Sequence, residues 1–288
     1  MELLSLLVGT VLLRPYVFVF FAAYCLACSL HLGVKRTVLF MIAGYAIAWL
    51  SEYSSIHNGL PYGYYYYIEE TRGKELWVCG VPFMDSLSYV SLAYASYSMA
   101  LVVTSPVLSR GPLYLLETRK LRSSLSTRIL GAVFFVYLDI IIDPVALQGN
   151  RWFLGQIYGY PEKGVYFGVP LSNFAGWLIV GFLMIHALQR IDAHLDRGRI
   201  RDYAGYRYPW RYLAGPGIYS GVLVFNLCVT FAIRDHHLAW TGIFIVLLPL
   251  LLLSSMLKLK RALRDQGEAL ETHLADFPLA VIPAASGK

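Results

Sequence analysis

The sequence predicts an all-α protein, a polytopic transmembrane helical bundle of about seven spans. Three observations predict it. Of the 288 residues 57% are hydrophobic and only 15% are charged, against about 25% charged in an average soluble domain. The apolar residues fall in long runs almost free of charge, and several reach the roughly 17–25 residues needed to cross the hydrocarbon core. Lys and Arg gather between those runs, on alternate sides, as membrane topology distributes them.

In chain order, the segment Met1–Leu13 is apolar but too short to span, and is expected in the interface or as an extension of the first helix. The expected spans are Pro15–Leu32, Thr37–Tyr53, Val81–Ser105, Thr127–Asp143, Gly168–Leu188, Gly215–Ile233 and Leu238–Leu257. Residues 1–260 therefore read as one transmembrane domain and 261–288 as a tail. Pro278, Pro283 and a small-residue end make that tail a short interfacial helix followed by disorder. Glu2 spoils a positive leader, so no secretory signal is expected. Cys25 and Cys28 lie inside an apolar run, which suits small residues facing neighbouring helices better than a redox pair.

Charge sets the expected orientation. Lys35 and Arg36 follow the first span, and Arg110, Arg119, Lys120, Arg122 and Arg128 lie between the third and fourth. Arg190, Arg197, Arg199, Arg201, Arg207 and Arg211 separate the fifth and sixth, and Lys258, Lys260, Arg261 and Arg264 follow the seventh. That places seventeen Lys and Arg on one side, against six on the other (Arg14, Arg72, Lys74, Arg151, Lys163 and Arg234). The positive-inside rule then puts the N-terminus outside and the C-terminus in the cytoplasm, in a multi-pass protein of the cell (inner) membrane. The net charge of +6 is explained by topology, with no call for nucleic acid as a partner.

Two outer regions look alike. Glu52, Gly59, Gly80-Val81-Pro82, Asp85 and Tyr89 recur as Asp143, Gly149, Gly168-Val169-Pro170, Asn173 and Trp177. In each, an acid closes a helix, a glycine-containing loop follows, and Gly-Val-Pro opens the next helix. A polar residue stands three positions after the proline and an aromatic four beyond it. The pattern predicts a parallel repeat of a helix pair, spans 2–3 and 4–5.

Glu52, Asp85, Asp139 and Asp143 all fall at the outer ends or outer halves of spans. Ionisable groups within spans are costly and face a cavity or a partner. Asp139 and Asp143 share a helix face, one turn apart. Helix C-termini disfavour a negative charge and first turns favour one, so Glu52 and Asp143 are the expected proton donors and Asp85 the expected base or water-holder. The blander reading makes Asp85 an N-terminal cap and leaves Glu52 and Asp143 touching interfacial water; convergence of four carboxyls on one side weighs against it. Asn173 and the outer tyrosines, among them Tyr62, Tyr64 and Tyr66, with Trp177, are candidate substrate-binding residues. An aromatic belt accounts for most of the tyrosines, while a face for an apolar or cationic ligand is the sharper alternative.

Other chemistries lack their motifs. No His cluster has di-iron spacing, and there is no P-loop and no Gly-x-Gly-x-x-Gly. Asp139-x-x-x-Asp143 supplies one acidic cluster where a Mg²⁺-dependent prenyltransferase needs two. No metal site and no cofactor are expected.

The segments Ser51-Glu52, Gly59-Leu60-Pro61-Tyr62-Gly63-Tyr64-Tyr65-Tyr66-Tyr67, Gly80-Val81-Pro82, Asp143-Pro144 and Gly168 to Trp177 resemble the carotenoid biosynthesis protein family that includes the bisanhydrobacterioruberin and γ-carotene hydratases. The resemblance covers roughly residues 50–180, with apolar helices matching more loosely on either side. Asp85 and Tyr89 depart from the hydratase branch, where an apolar residue and Trp are expected, and this bears on the exact substrate. The resemblance implies a membrane enzyme that adds water across a terminal isoprenoid double bond without a redox cofactor. The expected partners are the bilayer, a carotenoid or other isoprenoid lipid as substrate, and other enzymes of that pathway. The alternatives are a carotenoid cyclase, which begins with the same protonation, and a non-enzymatic carrier or assembly subunit. A carrier would place its carboxylates near the bilayer midplane, whereas these lie at outer ends.

Overall fold

A computed structural model describes residues 2–109, 111–153, 155–198, 205–262 and 267–283. Arg110, Arg199, Arg201 and Arg264 of the charge argument, and the end of the tail, lie outside the described residues. The helices are α1 (Glu2–Leu13), α2 (Pro15–His31), α3 (Val34–Asn58), α4 (Phe83–Thr104), α5 (Arg119–Arg122), α6 (Leu125–Ala146), α7 (Leu171–Arg197), α8 (Arg211–Ala232), α9 (His236–Ala262) and α10 (Gly267–Asp276). Short strands β1 (Tyr66–Tyr67), β2 (Trp77–Val78), β3 (Val81–Pro82) and β4 (Tyr158–Gly159) stand in the loops at one end. The protein is an all-α membrane bundle. Six helices, α3, α4, α6, α7, α8 and α9, are long and apolar enough to cross a bilayer. The broken pair α1–α2 would supply a seventh span, with its two parts meeting at 93°.

Local chemistry sets the breaks. Pro15 sits in the first turn of α2, where its missing N–H costs nothing. Gly59, at φ +79°, ends α3 in the left-handed conformation that glycine adopts without strain. At Gly9 an added Cβ would lie 2.0 Å from the Lys74 carbonyl oxygen, so only glycine lets α1 press on the loop after α3. The buried pair Arg14–Glu75, 3.1 Å apart, and the Leu76 amide donating to Thr10 Oγ1 at 2.8 Å fasten α1 there.

The core is a ring of four helices. α3 packs on α4 and α7, and α6 packs on the same two. α4 is the most enclosed helix, and α9 is almost wholly exposed, as a helix facing lipid should be. α2 and α8 pack on each other and on α4.

The loops leading into α4 and α7 share an unusual backbone. Cys79-Gly80 have φ +50° and +84°, and Phe167-Gly168 have φ +48° and +88°. Two consecutive positive φ values are what a type I′ hairpin turn requires, and Val78 pairs with Val81 while Tyr166 pairs with Val169 across these turns. Asp85 and Asn173 then occupy the third position of their helices. β1, after α3, pairs antiparallel with β4, after α6.

The opposite end is closed by ion pairs. Glu117 accepts from Arg122 at 2.5 Å and lies 3.0 Å from His31 Nε2. Burial opposes charge on Glu117, but Arg122 and His31 outweigh it and hold its carboxyl below the usual range. Arg36 pairs with Asp192 and Asp196. In the tail, α10 docks on the bundle: His273 Nδ1 lies 2.7 Å from the Glu117 carbonyl oxygen, and the Arg122 guanidinium lies 4.6 Å from the Phe277 ring centre.

Candidate active site

Each half of the ring contributes an acid near the end of one helix and a polar residue in the first turn of the next. In the first half Ser86 Oγ donates to Glu52 Oε2, and the carboxyls of Glu52 and Asp85 face the same cavity. Tyr67 Oη donates to Asp85 Oδ2 at 2.7 Å, and Tyr65 Oη lies 3.2 Å from Tyr67 Oη. In the second half Asn173 Nδ2 donates to Asp139 Oδ2 at 2.7 Å and to Asp143 Oδ2 at 3.0 Å. Tyr160 Oη donates to Asp143 Oδ2 at 2.8 Å, and Tyr158 Oη to Asp143 Oδ1. Asp143 thus accepts three hydrogen bonds. Asp139 Oδ1 is buried with no hydrogen-bond partner among the described residues, an expensive state for a carboxyl oxygen and one that needs a use.

Both clusters open on one cavity of about 140 Å³. All four expected carboxyls line it, and so do Asn173, Tyr62 and Trp177. Below the acids the wall is aromatic. Trp177 lies 4.7 Å from Tyr89 and 4.6 Å from Phe135, centre to centre. The outer cap is made of loop tyrosines. Burial, with Asp85 and Glu52 nearby, pushes the Tyr67 phenol up, and burial with Asp143 does the same for Tyr160. These rings stay protonated and act as donors.

Two expectations change. Tyr64 and Tyr66 do not line the cavity: they are 60% and 52% exposed and border a hollow on the outer surface with Lys163 and Val165. The stretch is extended, so side chains alternate, and Tyr65 and Tyr67 are the inward pair. Glu52 does not close its helix, because α3 runs on to Asn58. The macrodipole fades within one turn of a helix end, so it has no grip on Glu52. Asp143 does lie in the last turn of α6. Sequence reasoning missed Tyr65, Tyr67, Tyr158, Tyr160 and Ser86. The alternation of the tyrosine run carried a signal for the first two; partnership across β1 and β4 carried none for the others.

A bundle of membrane-length helices around a carboxyl-lined, aromatic-walled cavity defines a polytopic membrane protein with a polar cavity set among apolar helices. Comparison with known families is more particular: residues 5–249 match the family described as "Carotenoid biosynthesis protein", and the chain belongs to that family. It is also similar to a bisanhydrobacterioruberin hydratase of Haloarcula japonica, at 28% identity over 196 residues, or 65% of this chain and 57% of the relative. The chain thus spans a little over half the length of that curated relative. No solved structure matches it.

Proposed function

We propose that the protein is a carotenoid hydratase that adds water to a terminal isoprenoid double bond by acid-initiated chemistry. The observation that carries this reading is the meeting of four carboxyls, the Asn173 amide and the phenols of Tyr65, Tyr67, Tyr158 and Tyr160 on one small cavity with an aromatic floor. The family and the hydratase relative support it.

The chain's own groups suffice for the reaction. Two carboxyls facing one small cavity repel when both are charged, so the Glu52–Asp85 pair is assigned the proton at the cavity wall. Transfer of that proton to the less substituted carbon of the terminal double bond leaves a tertiary carbocation. The ring faces of Trp177 and Tyr89 stabilise it, as π faces do for cations. A water on the free Asp139 Oδ1 attacks the cation, and the oxonium gives its extra proton to a carboxylate of the Asp139–Asp143 pair. The net change is the addition of one water, with no change in oxidation state. Asn173 holds the two aspartates in place. This division differs from the one helix ends suggested: Asp143, accepting three hydrogen bonds, is the proton acceptor rather than the donor. A hydrogen-bonded wall able to hold water favours hydration over capture of the cation by a neighbouring double bond.

The test is an incubation of membranes containing the protein with an acyclic carotenoid in heavy water labelled in both hydrogen and oxygen. Each modified end should gain one carbon-bound deuterium and one heavy oxygen. A cyclised product carrying deuterium but no heavy oxygen contradicts the proposal.

We further propose that the carboxyl end of the bundle faces outward across the cell membrane, with the C-terminus in the cytoplasm. The seventeen-to-six asymmetry of Lys and Arg supports this. A C-terminal reporter active only outside the cytoplasm should stay silent; an active one reverses the orientation.

A further inference from the structure

We infer that the site has a second, lipid-facing part: a groove between α2 and α8 that seats the conjugated chain of an elongated isoprenoid while its end group occupies the carboxyl cavity. The inference deepens the hydratase reading and rests on its substrate class.

The cavity is too small to hold a whole polyene. About 140 Å³ is close to the roughly 150 Å³ of an apolar cavity that takes a single benzene. An end group fits and the remainder of the chain must leave. The sides formed by α3, α4, α6 and α7 are closed by the helix packing that brings the acids together. The outer cap is hydroxylated and suits water. A further, mostly apolar side is built by α2 and α8: Tyr16, Val17 and Phe20 from one, and Val222, Phe225 and Asn226 from the other, line the cavity, with Trp152 packed beside Tyr16 and Phe225. Tyr16, Phe20 and Phe225 are half-buried, so these cavity-lining rings keep part of their surface uncovered by protein.

Their geometry suits a flat rod. Tyr16 stacks on Phe225 with centroids 5.3 Å apart and 17° between planes, and Phe20 meets Phe225 edge-on at 6.0 Å. Further along α8, Gly217 and Gly221 leave the helix surface flat beside Phe20. A Cβ added at Gly221 would stand 3.5 Å from Phe20 Cε1, and one at Gly217 would meet nothing within 4 Å. A Cβ is therefore accommodated at both positions, and a longer side chain there would occupy the path of the chain. The cavity at the inner end of this path holds the unpartnered Asp139 Oδ1, so the groove leads to a reactive group.

The test compares Gly217→Leu and Gly221→Leu with Val133→Phe, a lipid-facing position on α6 that is 49% exposed. Two readouts are used: retention of an acyclic carotenoid by the detergent-purified full chain, and conversion of that carotenoid and of a short acyclic isoprenoid alcohol. The glycine variants should retain the carotenoid roughly tenfold more weakly and show the loss in KM rather than kcat. The short alcohol and Val133→Phe should behave as wild type. Wild-type retention in both glycine variants, or equal loss with the Val133→Phe control, overturns the groove. If the glycine variants lose retention but no protein hydrates either compound, the groove stands and the hydratase reading falls.

Discussion

The ring of Tyr89 stacks on that of Trp177, with centroids 4.7 Å apart and planes 22° from parallel. Each ring stands four residues beyond the polar residue in the first turn of its helix, Asp85 on α4 and Asn173 on α7. The two similar stretches of sequence therefore meet face to face beneath the acids they carry. Offset stacking of this kind contributes about 0.5–1.5 kcal/mol beyond the burial of the rings, and it gives the cavity a floor of π faces.

The approach of the tyrosine loop to α7 depends on Gly176. An added Cβ there would lie 2.7 Å from Tyr62 Cα and 2.8 Å from the Pro61 carbonyl oxygen, both backbone atoms that cannot swing aside. Gly176→Ala should push the loop off the bundle, lower thermal stability by about 1–3 kcal/mol, and cut turnover. Gly267→Ala, where nothing lies within 4 Å, should change neither. Thermal unfolding in detergent, with turnover on the same samples, checks both.

Glu52→Gln keeps the shape and the hydrogen bond from Ser86 but removes one carboxyl of the pair proposed to hold the acid proton. A positioned acid is worth about 10²–10⁴-fold in rate, so turnover should fall at least a hundredfold while the carotenoid is still retained. Near-normal rates at equal expression would make this carboxyl structural and move the search for the acid to Asp85 and Asp139.

The second cluster should respond in graded fashion. Asp143→Asn removes the proton acceptor and should abolish turnover. Tyr160→Phe deletes one of three donors to Asp143, and a hydrogen bond to a charged group is worth about 1.5–3 kcal/mol, so a loss of roughly tenfold or more is expected. Asn173→Ala should slow turnover less than Asp143→Asn. Initial rates in membranes of matched expression rank the three.

The docked tail should loosen in mild acid. Burial lowers the pKa of His273 from its usual 6.5, and Arg211 and Arg122 lower it further against the opposing pull of Glu117. A histidine with a depressed folded pKa contributes its stability above the unfolded value, and loses it as pH falls from about 6.5 toward the folded one. Protection of the α10 amides against hydrogen exchange, taken relative to the intrinsic rate at each pH, should therefore fall between pH 7.5 and 5.5, and His273→Gln should flatten that dependence. Equal protection at both pH values in the wild type would contradict it.

Much of this was legible in the sequence because the bilayer imposes a length on every apolar run. Helix positions could be read from that length, and the four carboxyls stood out because charge within a span is costly. The site's inner architecture was less legible. Tyr64 and Tyr66 were read as site residues where Tyr65 and Tyr67 face inward, since the parity of a strand depends on its partner, and β1 pairs with a strand some ninety residues away. The apolar run stops near Glu52 and so suggests a helix end there, whereas the backbone stays helical to Asn58 on a polar surface that hydropathy does not mark. The hydrogen bonds that separate acceptor-rich Asp143 from Glu52 come from Tyr158 and Tyr160, and no local pattern announced them.

The most direct test of the account is expression of the full chain in a host that accumulates an acyclic carotenoid, with mass and absorption spectra of the extracted pigments. The account predicts new pigments heavier by one water per modified end, with an unchanged visible spectrum because the terminal double bond is unconjugated. A product of unchanged mass containing a ring, or no product from any acyclic or half-cyclic carotenoid, would contradict it.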